Sequence, residues 1–230
     1  MKELKAWLAE LIGTLALVFV SVGAVYNANH QHFDWLGVAL AQGLVVVVMV
    51  SAAGAISGGH FNPAVTFGLL VGGKIGLRQV VGHVVSQFIG GVLGGLLSLV
   101  IFKAAVISTA TPDIAVDLTP AFGRGHAILT EAALTFLWVF VYYGTVVDPR
   151  GPKLGGLPVG LSVAAAVLLG GPLTGAGINP ARVFGLALCG AHWTNHSVYW
   201  FGPILGALLA GIVYGRLLIH PDLPQPPFKR

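Results

Sequence analysis

Six long apolar stretches constrain this chain more than any other feature of its sequence. They cover residues 7–26, 35–56, 80–102, 127–147, 154–170 and 198–219. A helix needs about 20 residues to cross a bilayer core about 30 Å thick, and only the fifth stretch is clearly shorter. Runs such as LVVVVMV and AAAVLLG do not alternate as the strands of a membrane barrel would. The sequence therefore predicts an all-α membrane protein with six transmembrane helices.

Composition excludes several other classes of protein. Hydrophobic residues make up 56% of the chain and charged residues only 9%, whereas a soluble domain carries about 25% charged residues. The single cysteine, Cys189, cannot build a disulfide framework. The basic residues are scattered and leave no nucleic-acid footprint. No motif places a nucleophile beside a base, so we expect no enzyme, no cofactor and no metal.

The basic residues indicate how the chain is oriented in the membrane. Cytoplasmic loops carry an excess of Lys and Arg. If both termini are cytoplasmic, one side of the membrane receives most of them: Lys2, Lys5, Lys74, Arg78, Arg150, Lys153, Arg216, Lys229 and Arg230. The other side receives Lys103 and Arg124. Residues 221–230 contain four prolines in ten positions, which predicts a disordered cytoplasmic tail.

An internal repeat divides the single channel-like domain, residues 1–230, into halves of approximately 1–105 and 125–220. Each half has three spans and one short apolar segment, residues 62–71 or 179–189. A segment of about ten residues covers roughly 15 Å, half of the membrane core. Because three spans is an odd number, the second half enters the membrane inverted. The short segments therefore enter from opposite faces, and we expect their N-terminal ends to meet at the midplane.

Each short segment begins with the tripeptide Asn-Pro-Ala. Asn is a favoured N-cap and Pro is favoured at the first helical position, so the tripeptide starts a helix. Two helix N-termini at the midplane concentrate positive potential there, which opposes the passage of cations and protons. The asparagine amides can also donate to a passing water. The predicted midplane residues are Asn62, Pro63, Ala64, Asn179, Pro180 and Ala181.

Glycine-rich segments precede both tripeptides, and irregular backbone at this depth must be buried in protein or line a wet cavity. We expect a ladder of carbonyl acceptors from Gly58, Gly59, His60, Gly175, Ala176 and Gly177. His60 lines the vestibule in this interpretation; a pH sensor is the alternative. Arg182 is predicted to face the pore rather than to snorkel towards the membrane surface. Glu10 and Glu131 occupy matching positions and are predicted to hold the backbone N–H groups of the loops; a proton relay is the alternative.

These residues resemble the aquaporin family, also called major intrinsic proteins. The resemblance covers essentially the whole chain and rests on SGGHFNPAV, GINPAR, the paired intramembrane glutamates and the helix of Gln87. It implies a right-handed bundle of six helices and two half-helices, a pore in each subunit and a homotetramer. It also implies a narrow constriction of four side chains on the outer side of the midplane.

In this sequence the constriction positions correspond to Gln42, Val167, Ala176 and Arg182. Strict water channels of the family usually carry Phe and His at the first two, so this set implies a wider passage. It looks more like the plant vacuolar-membrane branch, and ammonia, hydrogen peroxide or a small neutral amide could pass. The glycerol-conducting branch usually carries Asp directly after the arginine and a basic residue four positions later. Val183 and Ala187 stand there instead, so glycerol conduction is the second alternative.

The sequence thus predicts a passive channel in the lipid bilayer for water and other small uncharged molecules. A secondary carrier remains an alternative because carriers also use inverted repeats and broken helices. A structural membrane protein with a blocked pore is the third possibility. Short termini favour a prokaryotic inner membrane, and a eukaryotic vacuolar or plasma membrane is the alternative.

Overall fold

The computed structural model describes residues 2–115 and 123–219, and within these ranges every regular element is helical. The predicted tail, residues 221–230, lies outside them. In chain order the helices are α1 (Lys2–Asn29), α2 (Trp35–Ser57), α3 (Pro63–Val71), α4 (Leu77–Ile101), α5 (Ala104–Ala110), α6 (Arg124–Tyr142, extended by a π-helix over Tyr143–Val147), α7 (Leu157–Thr174), α8 (Pro180–Gly190) and α9 (Val198–Ile212, extended by a π-helix over Val213–Leu218).

Six of these helices, α1, α2, α4, α6, α7 and α9, are long and apolar enough to cross a membrane. The predicted number of spans is therefore confirmed, and the short segments α3 and α8 begin at their prolines as expected. The short helix α5 was not predicted, because seven residues between two spans carry too little periodicity to be recognised.

The predicted limits of the fifth span, residues 154–170, were wrong. Helix α7 begins later because Gly155 adopts a left-handed φ of 59°, a conformation that glycine accepts without strain. It also ends later, since Pro172 lies in its last turn and the helix continues to Thr174. Gly175 then ends the helix in the left-handed region, with a φ of 71°. Proline near a helix end costs few backbone hydrogen bonds, so here it did not mark the boundary.

The packing of the helices follows the repeat. Helix α1 packs on α2 and α4, and α6 packs in the same way on α7 and α9. The two half-helices exchange partners, since α3 packs on α9 and α8 packs on α4. Glycines allow this close approach: a Cβ atom on Gly185 would collide with the carbonyl of Gly91, and one on Gly211 with that of Gly68. Helices α2 and α7 form a further contact between the halves.

Apolar side chains cover the outside of this bundle, and polar side chains concentrate inside it. Exposed leucines include Leu40 and Leu44 on α2 and Leu161 and Leu168 on α7. The buried polar residues include Glu10, Gln42, His60, Asn62, His83, Gln87, Glu131, Asn179 and Arg182. Ionisable groups within membrane helices are expected to face the protein interior or a water-filled path. The lateral surface is therefore suited to lipid, and the polar chemistry lies along the centre of the bundle.

Candidate functional site

The two Asn-Pro-Ala tripeptides start the half-helices as the sequence predicts. Asn62 caps α3, and its Oδ1 accepts from the backbone N–H of Ala64 at 2.9 Å. Asn179 caps α8, and its Oδ1 accepts from the N–H groups of Ala181 at 3.1 Å and Arg182 at 3.3 Å. Proline at the first helical position has no N–H that would need a partner. In both halves the asparagine of the tripeptide therefore caps the helix that it starts.

The asparagine side chains also join the two half-helices to each other. Asn62 Nδ2 donates to the carbonyl of Ile178 at 2.8 Å, and Asn179 Nδ2 donates to the carbonyl of Phe61 at 2.8 Å. Phe61 and Ile178 both adopt left-handed φ values, 49° and 39°. Such values are strained for residues with a Cβ, and strain of this kind is typical of functional sites. Each asparagine amide keeps one further N–H, so the predicted donation to the lumen falls to one hydrogen per amide.

Glu10 organises the first pore loop, which connects α2 to α3. Its Oε1 accepts from the hydroxyl of Ser57 at 2.7 Å and the backbone N–H of His60 at 3.0 Å. Its Oε2 accepts from the N–H of Phe61 at 2.6 Å and from Nε2 of Gln87 at 2.7 Å. A buried carboxylate is costly unless donors surround it, and four donors satisfy this one. These contacts match the predicted task of holding loop N–H groups.

Glu131 organises the second pore loop, between α7 and α8, in nearly the same way. Its Oε1 accepts from the hydroxyl of Thr174 at 2.6 Å and the N–H of Gly177 at 2.8 Å. Its Oε2 accepts from the N–H of Ile178 at 2.6 Å. Pro203 stands where the first half has Gln87 and carries no donor, so Glu131 has three donors where Glu10 has four.

Side chains of the protein bond to three of the six carbonyls that are predicted to form the ladder. The carbonyl of Gly58 accepts from the hydroxyl of Tyr142 at 2.7 Å. The carbonyls of Ala176 and Gly177 accept from Nη1 of Arg182 at 2.7 Å and 3.1 Å. Sequence spacing could not reveal these contacts because they depend on side chains that fold back onto the loops. A carbonyl has a second lone pair, so each can still accept from water. The acceptor role of Gly59, His60 and Gly175 stays a prediction.

Arg182 is held inside the protein rather than at the membrane surface. Its side chain is 3% exposed, and the two loop carbonyls fix the guanidinium. Its Nε has no hydrogen-bond partner among the described residues. Arg182 and Gln42 line one cavity of about 190 Å³ together with Val25, Trp35, Thr109, Ala110, Thr111, Pro112, Asp113 and Gly175. Val167 and Ala176 are fully buried and do not line this cavity.

A polar network at the mouth of this cavity was missed from the sequence. Asp113 lies in the segment after α5, and its carboxylate contacts Nε2 of His192 at 2.8 Å and Nδ2 of Asn195 at 2.9 Å. Arg124 Nε donates to Asn195 Oδ1 at 3.0 Å. The network joins the connection between the halves to the loop after α8. No sequence signal marks it, because its members come from three separate segments.

Among residues 2–115 and 123–219, no group of three or more His, Cys, Asp or Glu side chains is placed to hold a metal ion. The chemistry of the site therefore rests on amide, carbonyl and guanidinium groups arranged around the meeting point of α3 and α8.

Comparisons with known proteins agree with this geometry. The model of the family described as major intrinsic protein matches residues 1–214. The chain is 44% identical over 230 residues to aquaporin TIP3-2 of Zea mays, covering 95% of this chain and 84% of that protein. It is 44% identical to aquaporin TIP4-4 of Zea mays, with 96% and 91% covered, and 36% identical to probable aquaporin TIP3-2 of Arabidopsis thaliana, with 98% and 87% covered.

A solved structure shares the fold. The X-ray structure of the aquaglyceroporin from Plasmodium falciparum superposes with a TM-score of 0.82 at 21% identity, covering 94% of this chain and 97% of that one. At this identity the match supports the architecture alone. The family model, the relatives and the paired half-helices lead to one assignment. The chain is an integral membrane channel protein, not an enzyme, and it belongs to the major intrinsic protein family.

Proposed function

We propose that this protein is a passive channel that conducts water, admits small neutral solutes such as ammonia and hydrogen peroxide, and excludes ions and protons. The observation that carries the proposal is the reciprocal pair of hydrogen bonds from Asn62 to Ile178 and from Asn179 to Phe61. These bonds place two helix N-termini at one point inside the bundle. Positive helix ends that face one another oppose any cation that approaches them.

The same point orients a passing water molecule. Asn62 and Asn179 each use one amide hydrogen across the loops and keep a second as a donor. A water that accepts from these donors turns its own hydrogens away from the centre. Proton transfer along a file of waters needs a continuous chain of donors and acceptors, so this orientation interrupts it. Water passes because its oxygen finds donors, whereas a proton finds neither a relay nor a negative charge.

The selectivity constriction consists of Gln42, Val167, Ala176 and Arg182 in this proposal. Support comes from the cavity that Gln42 and Arg182 line together and from the carbonyl contacts that hold the guanidinium in place. Val167 and Ala176 are the other two proposed positions, and both carry small apolar side chains. Small side chains at these positions leave more space than Phe and His would, which favours a solute range wider than water alone.

The protein is also proposed to act as a homotetramer with one pore in each subunit, with both termini on the cytoplasmic side. The positive-inside distribution of Lys and Arg supports this orientation. The plant TIP-type relatives favour a eukaryotic vacuolar membrane over a prokaryotic inner membrane. Fluorescence microscopy of a tagged chain in its own host, together with fractionation, distinguishes the two locations.

Stopped-flow light scattering on proteoliposomes tests the proposed function directly. We expect fast osmotic shrinkage with a low activation energy, no saturation and no dependence on ions. Ammonia and hydrogen peroxide fluxes should exceed those of empty liposomes, and an imposed pH gradient should persist. Shrinkage at the lipid baseline would indicate a blocked pore, and saturable ion-dependent uptake would indicate a carrier. Glycerol flux as fast as water flux would favour the glycerol alternative.

A further inference from the structure

Two buried polar atoms on α6 have no hydrogen-bond partner among the described residues. They are Thr135 Oγ1 and Trp138 Nε1. Thr135 is fully buried and Trp138 is 2% exposed. A buried indole N–H usually has a partner, and a buried donor without one costs about 1–3 kcal/mol. In native proteins such groups are usually satisfied by water or by a ligand.

The first half of the repeat shows that the shared scaffold does not require these two groups. Thr14 and Leu17 on α1 correspond to Thr135 and Trp138 by the offset that relates Glu10 to Glu131. The hydroxyl of Thr14 donates to the carbonyl of Glu10 at 2.8 Å, so it is satisfied within its own helix. Leu17 carries no polar group. The free hydroxyl and the large indole are therefore specific to the second half.

The position of Thr135 and Trp138 along α6 places them between the two pore loops. At 3.6 residues per turn, Glu131, Thr135, Trp138 and Tyr142 lie within about 60° of one another on the helix. Glu131 accepts from backbone N–H groups of the second loop, and the hydroxyl of Tyr142 donates to a carbonyl of the first. The two residues between them on this face therefore point towards the level at which the loops meet.

The neighbours of Trp138 on α6 fix the direction of its side chain around the helix. On one side, Leu134 packs against Gly170 of α7. On the other side, Val139 packs against Gly68 of α3. Trp138 therefore points between α7 and α3, into the interior of the bundle. Side chains on a helix lean towards its N-terminus, so the indole covers the surface between Tyr142 and Glu131.

We propose that Trp138 forms a second restriction of the solute path, in series with the outer constriction, and that its N–H is a third donor beside Asn62 and Asn179. This inference rests on the proposed function, because it names a residue that limits which solutes the channel admits. Asn62, Asn179 and Trp138 are at most 2% exposed, whereas Gln42 and Arg182 line an outer cavity of about 190 Å³. The packing at the level of Trp138 thus leaves less space than the outer cavity does.

Such a restriction changes what a wide outer constriction means for selectivity. Small side chains at Val167 and Ala176 admit solutes larger than water to the outer cavity, but the indole then opposes them at the meeting point. Water is small, and its oxygen can accept from Nε1 of Trp138 as well as from the asparagine amides. A third donor on the same level also strengthens the orientation that interrupts proton transfer. The inner restriction therefore favours water over urea and glycerol.

Urea and water fluxes in proteoliposomes test the restriction, with Trp138→Leu as the informative variant. Leucine occupies the corresponding position on α1, so the fold accepts it in this setting. Two restrictions in series limit flux together, so the variant is measured alone and combined with Arg182→Val. We expect urea flux to rise in both backgrounds, by about fivefold once Arg182→Val has opened the outer constriction. Leu137→Ala, on the exposed face of α6, is the matched control and should leave both fluxes unchanged.

Trp138→Phe separates the size of the indole from its N–H group. Phenylalanine keeps a smaller aromatic ring and has no donor, so urea flux should lie between those of the wild type and Trp138→Leu. Water flux should fall although the ring is smaller, because the water file loses a donor. A rise in water flux would contradict the donor role.

Cysteine labelling gives a reading that does not depend on conduction. The chain has one cysteine, so Cys189→Ser supplies a background free of cysteine. Trp138→Cys and the matched control Val139→Cys replace neighbouring buried residues of α6, and only the first faces the proposed path. Methyl methanethiosulfonate, a small neutral reagent, should modify Trp138→Cys in intact proteoliposomes and leave Val139→Cys unmodified. Mass spectrometry measures both.

Two results would overturn the restriction. One is equal urea flux with and without Trp138→Leu in the Arg182→Val background. The other is labelling of Trp138→Cys no greater than that of Val139→Cys. Shrinkage of wild-type proteoliposomes at the lipid baseline would instead contradict the proposed function. The labelling still shows in that case whether Trp138 faces a solvent path, so the two proposals fail separately.

Discussion

The two pore loops use the same scaffold but carry opposite chemistry. In each, a buried glutamate accepts from a hydroxyl and from two backbone N–H groups. Around the first loop the remaining partners are two histidines, a glutamine and a threonine. Around the second loop the remaining partner is a cation, since Arg182 bonds to the carbonyls of Ala176 and Gly177.

This difference indicates a division of labour between the halves. The repeated elements, meaning the glutamates, the asparagine caps and the strained residues before them, build the meeting point. We expect the residues that are not repeated to determine which solutes approach the meeting point from each side. In the proposed channel, we expect a cation from the second-loop side to meet Arg182 first and one from the first-loop side to meet acceptors. The predictions below separate the shared scaffold from these specific additions.

The largest expected effect comes from the shared glutamates. In Glu10→Gln, the new amide nitrogen faces two of the four buried partners in either orientation, because each carboxylate oxygen accepts two. In Glu131→Gln, one orientation leaves only the N–H of Ile178 unpaired. We expect losses of stability of about 3 kcal/mol and about 2 kcal/mol respectively. Denaturation of both variants in the same detergent measures the order, and a larger loss in Glu131→Gln would contradict the comparison.

The second effect concerns Arg182 and selectivity. Arg182→Val removes the cation and releases the two loop carbonyls, so we expect small cations and larger neutral solutes to enter, with urea flux rising about tenfold. Arg182→Lys keeps the charge but loses the planar fork, so it should exclude cations better than the valine variant. Solute and ion fluxes in proteoliposomes measure both. An unchanged solute range in Arg182→Val would remove Arg182 from the filter.

A smaller effect is expected from the other constriction positions. The double variant Gln42→Phe and Val167→His introduces larger side chains at two of the four proposed constriction positions. Ammonia and hydrogen peroxide fluxes should fall several-fold while water flux changes less, because water is the smallest of the three solutes. Leu169→His, two positions after Val167 and exposed on the opposite face of α7, is a matched control. Undiminished ammonia and peroxide fluxes in the double variant would show that the constriction lies elsewhere.

The smallest effect lies outside both loops, where Asp148 pairs with Arg150 after α6. The side-chain hydrogen bonds from Arg150 lower the pKa of the Asp148 carboxyl below its ordinary value. A lowered pKa in the folded protein adds stability above the ordinary pKa, and that stability is lost as the pH falls through the lowered value. Arg150 is 54% exposed, so we expect a change of only about 1–2 °C in melting temperature. Melting curves of the wild type and Asp148→Asn should converge at acidic pH.

The architecture was predictable because its causes are local or periodic. The spans, the glycine-rich loops and the Asn-Pro helix starts depend on residues that are neighbours in sequence. The second copies of the loop and of the helix start revealed the repeat. The end of α7 was misplaced because the helix continues through Pro172 to Thr174, beyond the last residue of the predicted apolar stretch. The network of Asp113, Arg124, His192 and Asn195 could not be predicted, since it depends on how three separate segments pack.

The functional residues divide in the same way. The capping by Asn62 and Asn179 and the contacts of Glu10 and Glu131 follow from residue type and matched position. The hydrogen bonds from Tyr142 and Arg182 to loop carbonyls do not follow from residue type or position. The tertiary fold determines which of several carbonyls such a long side chain reaches. The contact of His83 Nε2 with the Ser57 carbonyl was not predicted either, because it depends on how α4 packs against the first pore loop.

The crossed asparagine bonds also bear on movement. A transporter that exposes its cargo to alternate sides must let its two repeats tilt against each other in every cycle. Here each half donates a hydrogen bond to the backbone of the other at the centre of the bundle. In a transporter of that kind these hydrogen bonds would have to break and form again in every cycle. A channel needs no such movement, so the two bonds remain intact while solute passes.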